Sequence, residues 1–146
     1  VFEIGRALQH GDAARAIELI DQQLERGESA IGVMRASVIP TVRNLFMARV
    51  VADMGVRGGN YRAFAAALDA LPEIQRAWLP QKKAGGVNAY PLFLSLQAAS
   101  RFRLEGLRAV MESALKADQA LVTTGLDHRL VLHRLVAQVS AAAKKR

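Results

Sequence analysis

The chain of 146 residues is 51% apolar and 23% charged, which excludes a disordered polymer and supplies enough apolar side chains for a hydrophobic core. It has no cysteine, so disulfides, thiol catalysis and Cys-based metal sites are excluded, and nothing points to an oxidising compartment. Aromatic residues are scarce while Ala, Leu and Arg are abundant, a mixture that favours helix over sheet.

Val1 to Gln9 reads as a short helix with Phe2, Ile4 and Leu8 available for burial. His10-Gly11 breaks it, and Asp12 is placed to cap a second helix over Ala13 to Arg26, which has Ala16, Ile17, Ile20 and Leu24 on one side. Gly27 follows in the position where a left-handed residue ends a helix. Ser29 should cap a long third helix reaching about Met54, with Met34, Val38, Val42, Leu45, Phe46 and Val50 inward. Pro40 lies inside it and predicts a kink near Ala36 to Ile39, because proline has no N–H and crowds the preceding turn.

GVRGG (residues 55–59) is a turn, and Asn60 is a candidate cap for a helix over Tyr61 to Leu71. Pro72 opens a less regular stretch, PEIQRAWLPQKKAGGV, expected to form a short helix and then an exposed loop. Asn88 is expected to cap the next helix, with Pro91 tolerated in its first turn. After a basic joint, Arg101-Phe102-Arg103, the most regular helix runs to Val122. It carries a stripe of Leu104, Leu107, Met111, Leu115 and Val122 beside a companion row of Val110, Ala114 and Leu121. Asp127 should cap a last helix bearing Leu130, Leu132, Leu135, Val136 and Val139. No strand shows convincing alternation and no period repeats. The expected fold class is therefore all-α, a single bundle of six or seven helices over 1–146.

The net charge of +7 is unevenly spread. Acids are concentrated in residues 1–28, whereas none occurs between Glu73 and Glu105 and the chain ends Lys144-Lys145-Arg146. An acidic start and a basic middle suit a protein on one face and an anionic partner on another; a merely basic soluble surface has the same pattern. No run approaches the ~20 apolar residues of a membrane span and no signal peptide opens the chain, so no membrane partner is expected and we read the protein as cytoplasmic. It begins at Val1 rather than Met, as expected of a domain from a longer protein.

Little in the sequence carries chemistry. His128 and His133 are five apart and do not share a helix face as an i, i+4 metal pair would, so the histidines read as ordinary surface residues. Asp118, on the rim of the apolar stripe, is expected to be partly buried and hydrogen-bonded in a structural role. No phosphate loop, nucleophile elbow or metal triad is present, so we expect no enzyme in this domain, no catalytic residue, no metal site and no cofactor. An enzyme completed by regions outside the chain has no clustered acid, base or nucleophile to support it. Trp78 lies among Arg76, Lys82 and Lys83, and two readings stand. Either the ring packs into the bundle, or it stacks bases of single-stranded nucleic acid while the cations neutralise phosphate.

Several segments, in order, resemble the C-terminal domain of the delta subunit of bacterial DNA polymerase III, the clamp-loader subunit. They are Phe2-Glu3-Ile4, the Gly11-Asp12 break, LIDQQLERGE, Arg76-Ala77-Trp78 with the basic residues after it, Tyr90-Pro91, Ser100 to Leu107, Ala117-Asp118-Gln119-Ala120-Leu121, and Gly125. The resemblance implies a helical collar domain that works in DNA replication by holding the clamp loader together beside the gamma or tau and delta-prime subunits. In that family a AAA+-like domain and a helical lid come first and would lie outside this chain; the former reaches the sliding clamp, and delta does not hydrolyse ATP. Primed DNA, including its template single strand, would pass near Arg76, Trp78, Lys82 and Lys83, with Arg101 and Arg103 the next basic candidates. The chain departs from the family pattern at Val122, commonly lysine, and at Arg103, often a small hydroxyl residue. Its GVRGG turn and KKAGGVN loop are long for the family. The competing expectation is a stand-alone basic helical module for single-stranded nucleic acid.

Overall fold

A computed structural model describes residues 2–143; the side chain of Phe2, expected to be buried, and the basic end Lys144-Lys145-Arg146 lie outside the described part. The helices are α1 (Phe2–Gln9), α2 (Ala13–Glu25), α3 (Ala30–Val33), α4 (Ile39–Asp53), α5 (Tyr61–Asp69), α6 (Glu73–Arg76), α7 (Tyr90–Ala99), α8 (Leu104–Thr123) and α9 (His128–Ala143). A π-helical stretch, Met34–Val38, joins α3 to α4, so residues 30–53 form one rod. Counted that way, the described residues form seven helices of two or more turns and the single turn α6: an all-α bundle. The only β pairing among them is an isolated antiparallel bridge, Gln81 to Val87.

Four of the five expected capping residues do cap a helix. Asp12, Ser29 and Asn60 accept the N–H groups of Arg15, Gly32 and Ala63, each three residues on. Asp127 Oδ1 accepts from Arg129 N at 3.0 Å. Gly27 takes the left-handed conformation at φ 98°. Asn88 does not cap α7, contrary to expectation. Ala89 is the cap residue without a side-chain bond, and the Asn88 backbone N–H donates to Pro80 O at 2.7 Å. Arg103 likewise precedes α8 without a side-chain cap.

Pro40 sits in the first turn of α4, and the expected bend appears upstream as the π-helical stretch. Ile39 N donates to Met34 O, five residues back, and the Thr41 hydroxyl donates to Ser37 O at 2.7 Å. The wider turn accommodates a residue that cannot donate and whose ring crowds the turn before it.

α4 is the central element, packed chiefly against α7 and α8; α9 lies against α8 and α2, and α1 against α2. The larger core gathers Ile4, Leu8, Ile20, Met34, Val38, Val42, Leu45, Phe102, Leu107, Leu132 and Leu135. A smaller one, Met47, Val51, Phe64, Leu68, Leu79, Val87 and Leu92, lies at the far end of α4 under α5 and α7. Leu96 packs against both.

Two expected burials are corrected. On α8 the companion row Val110, Ala114 and Leu121 is buried together with Leu107 of the main stripe, and Leu104 and Met111 are half-buried, whereas Leu115 and Val122 are more than half exposed. On α9, Leu130 also faces out. Among the described residues no helix is long and apolar enough to cross a membrane.

Candidate nucleic-acid interface

The stretch from Pro72 to Asn88 is an ordered platform rather than a loose loop. Within it, α6 is one turn, and Ile74 and Trp78, four apart, both face outward, Ile74 at 86% and Trp78 at 40% exposure. Trp78 belongs to neither core cluster, although more than half of its surface is covered. Arg76 turns the other way: its Nε donates to Leu71 O at 2.8 Å, stitching α6 to the end of α5.

Next comes a small hairpin closed by the Gln81–Val87 bridge. Lys82 N donates to Gly86 O at 2.9 Å and Gly85 N to Lys82 O at 3.0 Å, while Gly85 and Gly86 supply the positive φ angles of the turn. The Gln81 amide donates to Arg76 O and Leu79 O, tying the hairpin back to α6. Asp69 anchors the base by accepting from Val87 N at 3.0 Å. Lys82 and Lys83 are therefore held out at the tip, exposed and without an ion pair among the described residues. Beyond Glu73 the stretch is free of acid in sequence but not in space, because the Asp69 carboxylate comes up to its base.

Arg101 and Arg103 do not join this group. They follow the C-terminal end of α7, whereas the hairpin precedes its N-terminus, and ten helical residues put about 15 Å between them. Phe102, buried between the two arginines, anchors the joint. Arg103 lines an open groove of about 700 Å³ between α8 and α9 together with Glu105, Gly106, Ala109, Ser113 and Ala142, so its charge stands beside an acid.

The remaining candidates are structural. Asp118 accepts a two-point contact from Arg35, Nε to Oδ1 at 3.0 Å and a terminal nitrogen to Oδ2 at 3.2 Å, joining the π-helical stretch to α8. The hydrogen bond that Arg35 donates to Asp118, and then the charge of that carboxylate, raise the Arg35 pKa above its ordinary value. His133 is not an ordinary surface histidine: its Nε2 lies 2.7 Å from Asp21 Oδ1, half-buried between α9 and α2, with Arg129 3.5 Å from the same oxygen. His10 lines a small cleft of about 250 Å³ among Glu3, Arg6, Asp12 and Arg15. No group of three potential metal ligands converges among the described residues.

The structure also assembles an aromatic cluster that sequence spacing does not reveal. Tyr61 opens α5 and Tyr90 opens α7, and their rings meet edge-on with centroids 5.7 Å apart. The only local signal was a tyrosine at the first position of each helix. No protein-family model matches the chain, and no curated protein or solved structure matches it closely enough to support a comparison.

Proposed function

We propose that the chain is the collar domain of a clamp-loader delta subunit, a cytoplasmic non-catalytic scaffold in DNA replication. The observation that carries this reading is the ordered set of segments resembling that family, from Phe2-Glu3-Ile4 to Gly125, on a chain that folds as an all-α bundle. Further support comes from apolar side chains that the bundle leaves uncovered: Leu115 and Val122 on α8, then Leu126 and Leu130 at the corner into α9. A scaffold needs such a face for its neighbours, here the gamma or tau and delta-prime subunits. The exposed Trp78 with Lys82 and Lys83 gives the same domain a place to touch template single strand. Contact with the sliding clamp would belong to the parent protein's first domain.

The test is capture of purified gamma, tau and delta-prime by the isolated chain. Association with them is the expected result, and none at any of the three would remove the reading's main support. The exposure of Trp78 favours one alternative, a stand-alone single-strand-binding module. Salt-sensitive binding to oligonucleotide without partners, weakened in Trp78→Ala, together with failure to capture those subunits, would select that alternative.

A further inference from the structure

We infer that the face formed by the N-terminal ends of α5 and α7 is a second site for single-stranded nucleic acid, with Tyr61 and Tyr90 stacking bases and Arg57 and Arg62 holding phosphates. This inference does not depend on the collar reading. It rests on three observations.

First, the rings are pre-set. Phe64, fully buried, packs against Phe93 at 5.7 Å; Phe93 meets Tyr61 edge-on at 5.2 Å, and Tyr61 meets Tyr90 edge-on with planes at 87°. The ladder thus runs from the smaller core to the surface, where Tyr61 is 38% and Tyr90 55% exposed. Rings fixed by edge packing keep area open to a ligand and have little side-chain freedom left to lose on binding.

Second, the segments that supply both helix starts carry cations and no acid. Residues 54–68 and 74–104, which supply both helix starts, contain no aspartate or glutamate. Arg62 follows Tyr61 on α5, and Arg57 lies in the turn before it. That turn is held against α7, because a side chain on Gly58 would collide with Leu96. Both arginines are exposed, and neither makes an ion pair among the described residues.

Third, the Tyr61 end of the site lies away from the hairpin, while Tyr90, which opens α7 three residues after Val87, adjoins it. Asp69, which anchors the hairpin, ends α5, and Tyr61 begins it; nine helical residues place them about 13 Å apart. Aromatic rings carried with unpaired cations on acid-free segments match a polymer of flat bases and phosphates, and only an unpaired strand offers its base faces.

The test is fluorescence anisotropy of labelled oligothymidylate with the chain over a range of salt, each variant first checked for native melting by circular dichroism. Tyr90→Ala and Tyr61→Ala should each weaken binding by about fivefold or more, while Tyr90→Trp should retain it. Arg62→Ala should weaken binding and flatten its salt dependence. Wild-type affinity in folded Tyr90→Ala, equal binding of duplex without dependence on the rings, or no binding by the wild-type chain would each overturn the inference. So would loss of subunit capture in Tyr90→Ala with oligonucleotide binding intact, since that assigns the face to a protein. Failure to capture the clamp-loader subunits with oligonucleotide binding intact bears on the collar reading alone.

Discussion

At the scale of single residues, the close approach of α1 to the first turn of α4 depends on Gly5. A Cβ there would stand 2.8 Å from Thr41 Oγ1, and that hydroxyl is buried and committed to Ser37 O. Gly5→Ala must therefore push the hydroxyl off its acceptor or move α1 outward. We expect a loss of about 1–3 kcal/mol, measured by urea denaturation. Thr41→Ala removes the obstacle, so the double variant should lose less than the sum of the two single losses; strict additivity would mean that the contact does not limit packing. Local chemistry of this range was partly legible in the sequence. Asp12, Ser29 and Asn60 cap as their positions indicate, because a cap needs only its own next three residues. His133 was not legible, because its partner Asp21 lies 112 residues away and only the packing of α9 on α2 brings the two together.

At the scale of elements, α8 shows where periodicity stops informing. Its two apolar rows are adjacent on the helix, and spacing alone does not say which one meets α4 and α9. The structure buries Leu107, Val110, Ala114 and Leu121 and leaves Leu115 and Val122 outside. Truncation separates the rows. Leu121→Ala should cost about 2–4 kcal/mol through a cavity in the larger core, whereas Leu115→Ala should stay within about 0.5 kcal/mol in the isolated chain. Similar losses at both positions by chemical denaturation would overturn this assignment of faces. The 72–88 stretch was legible in the same partial way. A short helix and an exposed basic segment follow from its prolines and glycines, but the hairpin that holds Lys82 and Lys83 in place depends on Asp69, eighteen residues from the Val87 it holds. Pattern reading therefore gave the helices, the cation-rich stretch and the helix that sets Arg101 and Arg103 apart from it, while the anchoring of the hairpin emerged only from the packing.

At the scale of the whole molecule, its unused surface is what connects fold to function. Leu115 and Val122, seven residues apart on α8, lead to Leu126 and Leu130 at the corner into α9, and all four are more than half exposed. Exposed leucines occur singly on many proteins, but a row along one helix that continues into the next is the form of an interaction face. Under the collar reading this row is where neighbouring subunits sit, while the nucleic-acid contacts lie on α6, the hairpin and the α5–α7 face, which are different elements of the bundle. The two activities should therefore separate by mutation. Val122→Asp combined with Leu126→Asp puts charge on the apolar row without touching either core, so melting should be nearly unchanged. Capture of gamma, tau and delta-prime should fall by tenfold or more, on the order of 1.4 kcal/mol or above, because two carboxylates would be buried without partners. Oligothymidylate binding should weaken only slightly, through the lower net charge, whereas Trp78→Ala should weaken that binding and leave capture intact. If the aspartate pair instead leaves capture unchanged, the row is not the collar contact; if it unfolds the chain, the row belongs to the core and its exposure has been misassigned.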